Sequence, residues 1–155
     1  IGVNSGDGVA ADYAALTQRV VSARPEATIN GVRIERMVSG GVELVVGGTR
    51  DEQFGPVVVV GAGGVLIEVL RDTVHHLAPV DAPTACRMLQ RLRSRALLDG
   101  YRGAAAADVT SVANAIAGVS ALLTELPEVR EIDINPLVAL EKGAGCVALD
   151  CLLVV

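Results

Sequence analysis

A chain of 155 residues carries enough apolar material for one domain with its own core, and too little length for a complete two-lobed enzyme with separate substrate domains. Its net charge of −5, without any Lys/Arg cluster interleaved with aromatics, leaves no footprint for nucleic acid. No apolar run approaches the roughly 20 residues that span a bilayer, and no secretory signal pattern is present, so a soluble, cytoplasmic domain is expected.

The apolar half of the composition is mostly Ala, Val and Leu, with Tyr13, Phe54 and Tyr101 as the aromatics, so the core is expected to be aliphatic. In chain order, Val9, Tyr13, Leu16 and Val20 recur at helical spacing and predict a helix from about Gly8 to Ala23, with Pro25 beyond its end. Asn30-Gly31 introduces an apolar run from Val32 to Val38, and Ser39-Gly40-Gly41 separates it from Val42 to Val46; both read as strands. Pro56 to Val60, Val65 to Leu70 and Thr73 to Leu77 predict an antiparallel meander. Asp81 is placed to cap a helix with Ala85, Met88, Leu89, Leu92 and Ala96 inside and Gly100 at its end. Asp108 caps another, with Val112, Ile116, Val119 and Leu123 on one side and a stop at Pro127. Val129 to Ile134 and Cys146 to Val155 return to strands about a turn near Glu141 to Gly145. The order predicts an α+β domain, mainly an antiparallel sheet with helices packed on one side.

Cys86, Cys146 and Cys151 form no CxxC pair, which suits a reducing compartment, and all three are expected to act as small buried hydrophobes. Gly61-Ala62-Gly63-Gly64 precedes a strand-like run rather than a helix, so it reads as a turn and not as a phosphate loop. His75 and His76 are neighbours on a strand and point to opposite faces, which prevents both from holding one metal. They read as structural, one exposed and the other packed.

The informative segments are Glu131 to Pro136 and Val147 to Asp150. Period-2 alternation puts Glu131, Asp133 and Asn135 on one face. A two-residue turn at Lys142-Gly143 places Asn135 opposite Asp150, since both lie equally far from its centre. Asp150, between Leu149 and Cys151, reads as a carboxylate in an apolar run that calls for a cation. Magnesium suits this donor set, because it prefers hard oxygens and takes only one or two groups from the protein. An ordinary capped hairpin satisfies the same pattern. Glu35 and Glu43 flank the Gly40-Gly41 break between two strands, the composition of a hinge with free backbone groups.

In order along the chain, Ile34-Glu35-Arg36-Met37, Gly41-Val42-Glu43, Asp51 to Pro56, Gly61 to Gly64, Ala78-Pro79, Leu98 to Gly103, Glu131 to Leu137 and Asp150 resemble the ATP-grasp part of ADP-forming acyl-CoA synthetases. Gly63 to Glu68 and Asp133 to Pro136 are also similar to the succinyl-CoA synthetase β-subunit. The resemblance implies an ATP-grasp carboxyl-terminal lobe over 32–155, hinge included, with 1–31 as a remnant of the amino-terminal lobe.

It implies further that Glu35, Arg36 and Met37 lie at the adenine hinge and that Glu43 reaches the ribose. Asn135 and Asp150 would hold Mg2+, Asp133 would sit beside the phosphates of ATP or behind the ligands of the metal, and Arg102 would meet a phosphoryl group. The family passes a phosphoryl group from ATP through a histidine to an acyl phosphate that CoA attacks. Its phosphate-binding lysine has no counterpart here, since the only lysine is Lys142, in a turn. The chain therefore reads as part of a longer enzyme and as inactive alone, with the remaining CoA-binding and ligase domains or subunits as partners. The alternative is a degenerate grasp fold kept as a subunit-contact or regulatory module.

Overall fold

A computed structural model describes residues 6–64 and 71–155. They fall into two compact units, Ile1–Ser39 and Gly40–Val155. In the first, helix α1 spans Gly6–Ala23, with Val9, Leu16 and Val20 half-buried along one stripe. The amides of Arg24 and Ala27 close the turns around Pro25 by bonding Val20 O and Arg24 O at 2.8 and 3.0 Å. The strand expected at Val32 to Val38 is absent: residues 28–39 are irregular. An apolar run becomes a strand only beside a partner ladder, and none of the described residues pairs with it.

The second unit is one antiparallel sheet. Its strands are β1 (Val42–Asp51), β2 (Gly55–Ala62), β3 (Thr73–Leu77), β4 (Glu131–Ala139), β5 (Cys146–Ala148) and β6 (Cys151–Val154). Their order is β3-β2-β1-β4, and β5 and β6 both pair with the outer side of β4. The β1–β2 hairpin closes where Asp51 Oδ1 accepts from the amides of Gln53 and Phe54 at 2.8 and 2.9 Å, with Gly55 at positive φ. The run Val65 to Leu70 lies outside the described residues.

Three helices among the described residues belong to this unit: α2 (Ala82–Gln90), α3 (Arg95–Leu98) and α4 (Val109–Glu125). Asp81 and Asp108 cap α2 and α4 through the amides of Thr84 and Ser111, as the sequence predicts. Leu44, Val46, Val58 and Val60 of the sheet meet Met88, Leu89, Val112, Ile116 and Leu123 of the helices in one buried aliphatic cluster. Alpha-4 lies so close to the sheet that a Cβ on Gly48 would come within 2.5 Å of Leu123 Cδ1. None of the helices among the described residues is long and apolar enough to cross a membrane.

The helix expected from Asp81 to Gly100 is broken between Gln90 and Arg95. The cause lies across the fold. Asp72, only 5% exposed, takes the amides of Arg93 and Ser94 at 2.9 and 2.7 Å and the Ser94 hydroxyl at 2.6 Å. Those amides are thereby diverted from a continuous helical ladder, and Leu98 rather than Ala96 enters the core. Burial pushes the Asp72 carboxyl up, but the bonds from Ser94 and Arg93 outweigh it and hold the group below its ordinary value.

Two smaller expectations also change. His75 and His76 are both exposed because β3 is the outermost strand among the described residues, and of its five residues Val74 alone is buried. Cys86 and Cys146 are half-buried and Cys151 is exposed on β6, so none is a fully buried hydrophobe.

Candidate functional site

The hairpin that joins β4 to β5 folds about Lys142-Gly143. The Ala144 amide bonds Glu141 O at 2.8 Å, the Leu140 amide bonds Gly145 O at 3.0 Å, and Gly143 has φ +87°. Leu137 then faces Ala148, and farther along Ile134 faces Cys151 and Asp133 faces Leu152. The register is continuous, so Asn135 lies opposite Asp150, and its amide bonds Asp150 O at 3.2 Å. The pair falls in the gap between the two ladders, where Leu137 and Ile134 both face the core side of β1 although three residues apart, so the regular alternation of the strand is broken at this step. The expected opposition is present in the backbone, at a break between β5 and β6 rather than within a ladder.

Pro136 acts on the other side of β4. Leu44 faces Leu137 but Val46 faces Ile134, so β4 carries one residue more than β1 across this step. Pro136 also has no amide to give the ladder, and β5 and β6 are separate strands on either side of Leu149-Asp150.

Asp150 is not a buried carboxylate. It is exposed, as is Asn135, and its Oδ1 accepts from the Cys151 amide at 2.9 Å. The outermost position of β5 and β6 explains this, because Leu149, Leu152 and Leu153 beside it are also exposed. Asp133, half-buried and two residues from Asn135, opposes Gly47. Asp133, Glu131 and His75 line a shallow groove of about 180 Å³ floored by Gly47. No group of three His, Cys, Asp or Glu side chains among the described residues could hold a metal. A site here rests on two opposed oxygen donors, one of them an amide.

Asp108 braces this hairpin. Beyond capping α4, its Oδ2 accepts from the amides of Gly143 and Gly145, both at 3.0 Å. The Ser111 amide first, then those of Gly145 and Gly143, hold its carboxyl below the ordinary value. Cys146 next to the turn is pushed up by burial and, secondarily, by the Asp108 charge.

Glu43 stands near the start of β1, where its carboxylate lies over Gly64. It lines a cleft of about 410 Å³ with Gly63, Gly64, Leu97 and Tyr101. The break between α2 and α3 sets this wall, and the cleft was not legible in the sequence because Asp72, which makes the break, lies far from it in the chain. Arg102, exposed and at φ +53°, stacks its guanidinium 5.3 Å from the centroid of Tyr101. Glu35, Arg36 and Met37 belong to the first unit and are exposed, with Glu35 paired to Arg33 at 2.6 Å.

Residues 1–155 match the ATP-grasp domain family. The chain belongs to the ATP-grasp family. It is 40% identical over 125 residues to the ADP-forming 4-hydroxybutyrate–CoA ligase of Nitrosopumilus maritimus, covering 81% of this chain and 18% of that one. It is 38% identical over 138 residues to subunit beta of the ADP-forming acetate–CoA ligase I of Pyrococcus furiosus, covering 89% of this chain and 59% of the subunit.

The ATP-grasp fold extends to solved structures. The dinucleotide-forming acetyl-coenzyme A synthetase 1 of Candidatus Korarchaeum cryptofilum, with coenzyme A, acetyl-coenzyme A and a phosphorylated phosphohistidine segment, superposes with a TM-score of 0.89 at 31% identity, covering 99% of this chain and 68% of that one. The same synthetase with coenzyme A and Mg-AMPPCP gives 0.71 at 34% identity, covering 76% and 55%. The antiparallel sheet with helices on one side is the ATP-grasp arrangement of these synthetases.

Proposed function

We propose that this chain is the nucleotide- and magnesium-binding lobe of an ADP-forming acyl-CoA synthetase, which converts an acid, CoA and ATP to acyl-CoA, ADP and phosphate through a phosphohistidine and an acyl phosphate. The observation that carries this reading is the opposition of Asn135 and Asp150 across the hairpin. Both are exposed hard-oxygen donors, Asp150 keeps a second carboxylate oxygen beyond the one bonded to Cys151, and magnesium needs no more than two protein groups. The complex of a relative with Mg-AMPPCP supports the choice of ion and nucleotide. Bound there, magnesium would neutralise charge on the nucleotide phosphates.

The remaining residues take roles around the nucleotide. The backbone from Glu35 through Arg36 to Met37 is assigned to the adenine edge, and Glu43, on the rim of the cleft with Tyr101, to the ribose hydroxyls. Asp133 lies two residues from Asn135 and orients the phosphate-bound cation, while Arg102 offers a planar cation to a phosphoryl group. The 155-residue chain by itself is inactive under this reading, because its only lysine, Lys142, sits in the hairpin turn. Its partners are the CoA-binding and ligase parts of the same synthetase.

Asp150→Asn in the complete protein tests the assignment. Because Asp150 is exposed, the substitution shifts fold stability by no more than about 0.5 kcal/mol, whereas ATP-dependent autophosphorylation at limiting magnesium falls at least tenfold, on the order expected for a lost metal ligand. Unchanged phosphorylation across a magnesium titration would return Asp150 to an ordinary hairpin residue.

A further inference from the structure

The Lys142-Gly143 turn is poorly suited to fix the register on which the Asn135–Asp150 pair depends. Two-residue hairpins favour turns with positive φ at the first central residue or at both, because their twist matches that of the strands. Here Gly143 is positive at +87° while Lys142 is not among the positive-φ residues, the pattern of a type II turn that splays the strands. Gly145 adds a second left-handed residue at +88° before β5 begins. The cost of a slip is specific. A shift of one residue turns one partner to the other face, and a shift of two parts Asn135 from Asp150 along the strand.

What compensates lies outside the hairpin. Asp108 Oδ2 holds the amides of Gly143 and Gly145 at 3.0 Å each, on either side of Ala144. The Asp108 amide bonds Leu140 O at 2.8 Å, the Lys142 amide bonds Ala106 O at 2.9 Å, and Ala107 bridges Glu141. Asp108 itself is 8% exposed, and its other oxygen is committed to Ser111 at the start of α4. One carboxylate therefore ties the turn to the rigid end of a core helix. Resting on the reading of Asn135 and Asp150 as magnesium ligands, we propose that Asp108 is a positioning residue for that pair, acting by locking the hairpin register that sets the two opposite each other.

Asp108→Asn keeps an acceptor for Ser111 and a good helix cap, but turns an NH2 group toward the glycine amides. Asp108→Ser also caps the helix and is too short to reach the turn, so the two variants lose the clamp by different routes. Asp81→Asn, at the cap of α2, is the control for a changed cap alone. In the complete protein, amide hydrogen exchange is followed at Asn135 and Leu149, which bond Asp150 O and Pro136 O across the strands, and ATP-dependent phosphorylation is titrated with magnesium chloride.

Both Asp108 variants should speed exchange at these two amides and raise the magnesium required for half-maximal rate about tenfold, as loss of an outer support to a metal ligand does. The rate at saturating magnesium should be largely kept, and Asp81→Asn should move neither readout. Unchanged exchange in both Asp108 variants overturns the positioning role, even if Asn135→Ala still raises the magnesium requirement. Faster exchange with a magnesium requirement that neither Asp108→Asn nor Asn135→Ala alters overturns the proposal from the other side, by removing the metal from the pair.

Discussion

Asp72 shows how a single buried carboxylate can decide local structure. It is 5% exposed and holds two amides and a hydroxyl. Replacing it with Ala would leave the part-buried amides of Arg93 and Ser94 without their acceptor, at a cost of about 1–2 kcal/mol. Its folded-state pKa lies below its ordinary 3.8, so the stability it contributes is present above that value and is lost as pH falls through the lower, folded value. Urea unfolding from neutral to acid pH should therefore show the difference between wild type and Asp72→Ala shrinking below about pH 4, and a difference independent of pH would remove the charge from this account. Residue by residue, the sequence was legible where a role is local: the caps Asp81 and Asp108 follow from position before an apolar helix. It was not legible for Asp72, the clamp by Asp108, or the exposure of Asp150, since each depends on which distant segment lies next to it.

Among the elements, strand and helix identities followed from period where a partner exists, as at Thr73–Leu77 and Val109–Glu125. Val32 to Val38 is apolar at 32, 34, 37 and 38 but has no neighbouring ladder among the described residues, and it stays irregular. Contact between α4 and the sheet has its own requirement in Gly48. A Cβ there would lie 2.5 Å from Leu123 Cδ1 and 2.6 Å from Val57 O, and backbone cannot give way as a side chain can. Gly48→Ala should lower stability by about 1–3 kcal/mol through overpacking, seen as a lower urea midpoint with unchanged slope. Adding Leu123→Val should recover part of the loss through relief of the nearer clash. Strictly additive losses in that double variant would show that α4 does not press on Gly48.

At the scale of the whole molecule, the sheet face away from the helices carries carboxylates near the proposed phosphate site. Glu131 and Asp133 lie on it, in a chain whose net charge is −5. A nucleotide polyphosphate brought to such a face meets like charge, so a cation has to be bound with it, and Arg102, the guanidinium assigned to the phosphates, is already stacked on Tyr101. Affinity for ATP should therefore depend steeply on magnesium and vanish in excess chelator. A second limit comes from surface: the groove beside Asp133 is only about 180 Å³, too shallow to enclose a nucleotide, and ligands are held firmly where most of their surface is covered. Calorimetry on the 155-residue chain should accordingly find weak or undetectable binding of ATP even with magnesium present. The complete protein should bind in magnesium and lose binding in chelator. Micromolar affinity of the chain by itself would show that one lobe is enough, and binding of ATP by the complete protein in chelator would show that this face is not where the phosphates lie.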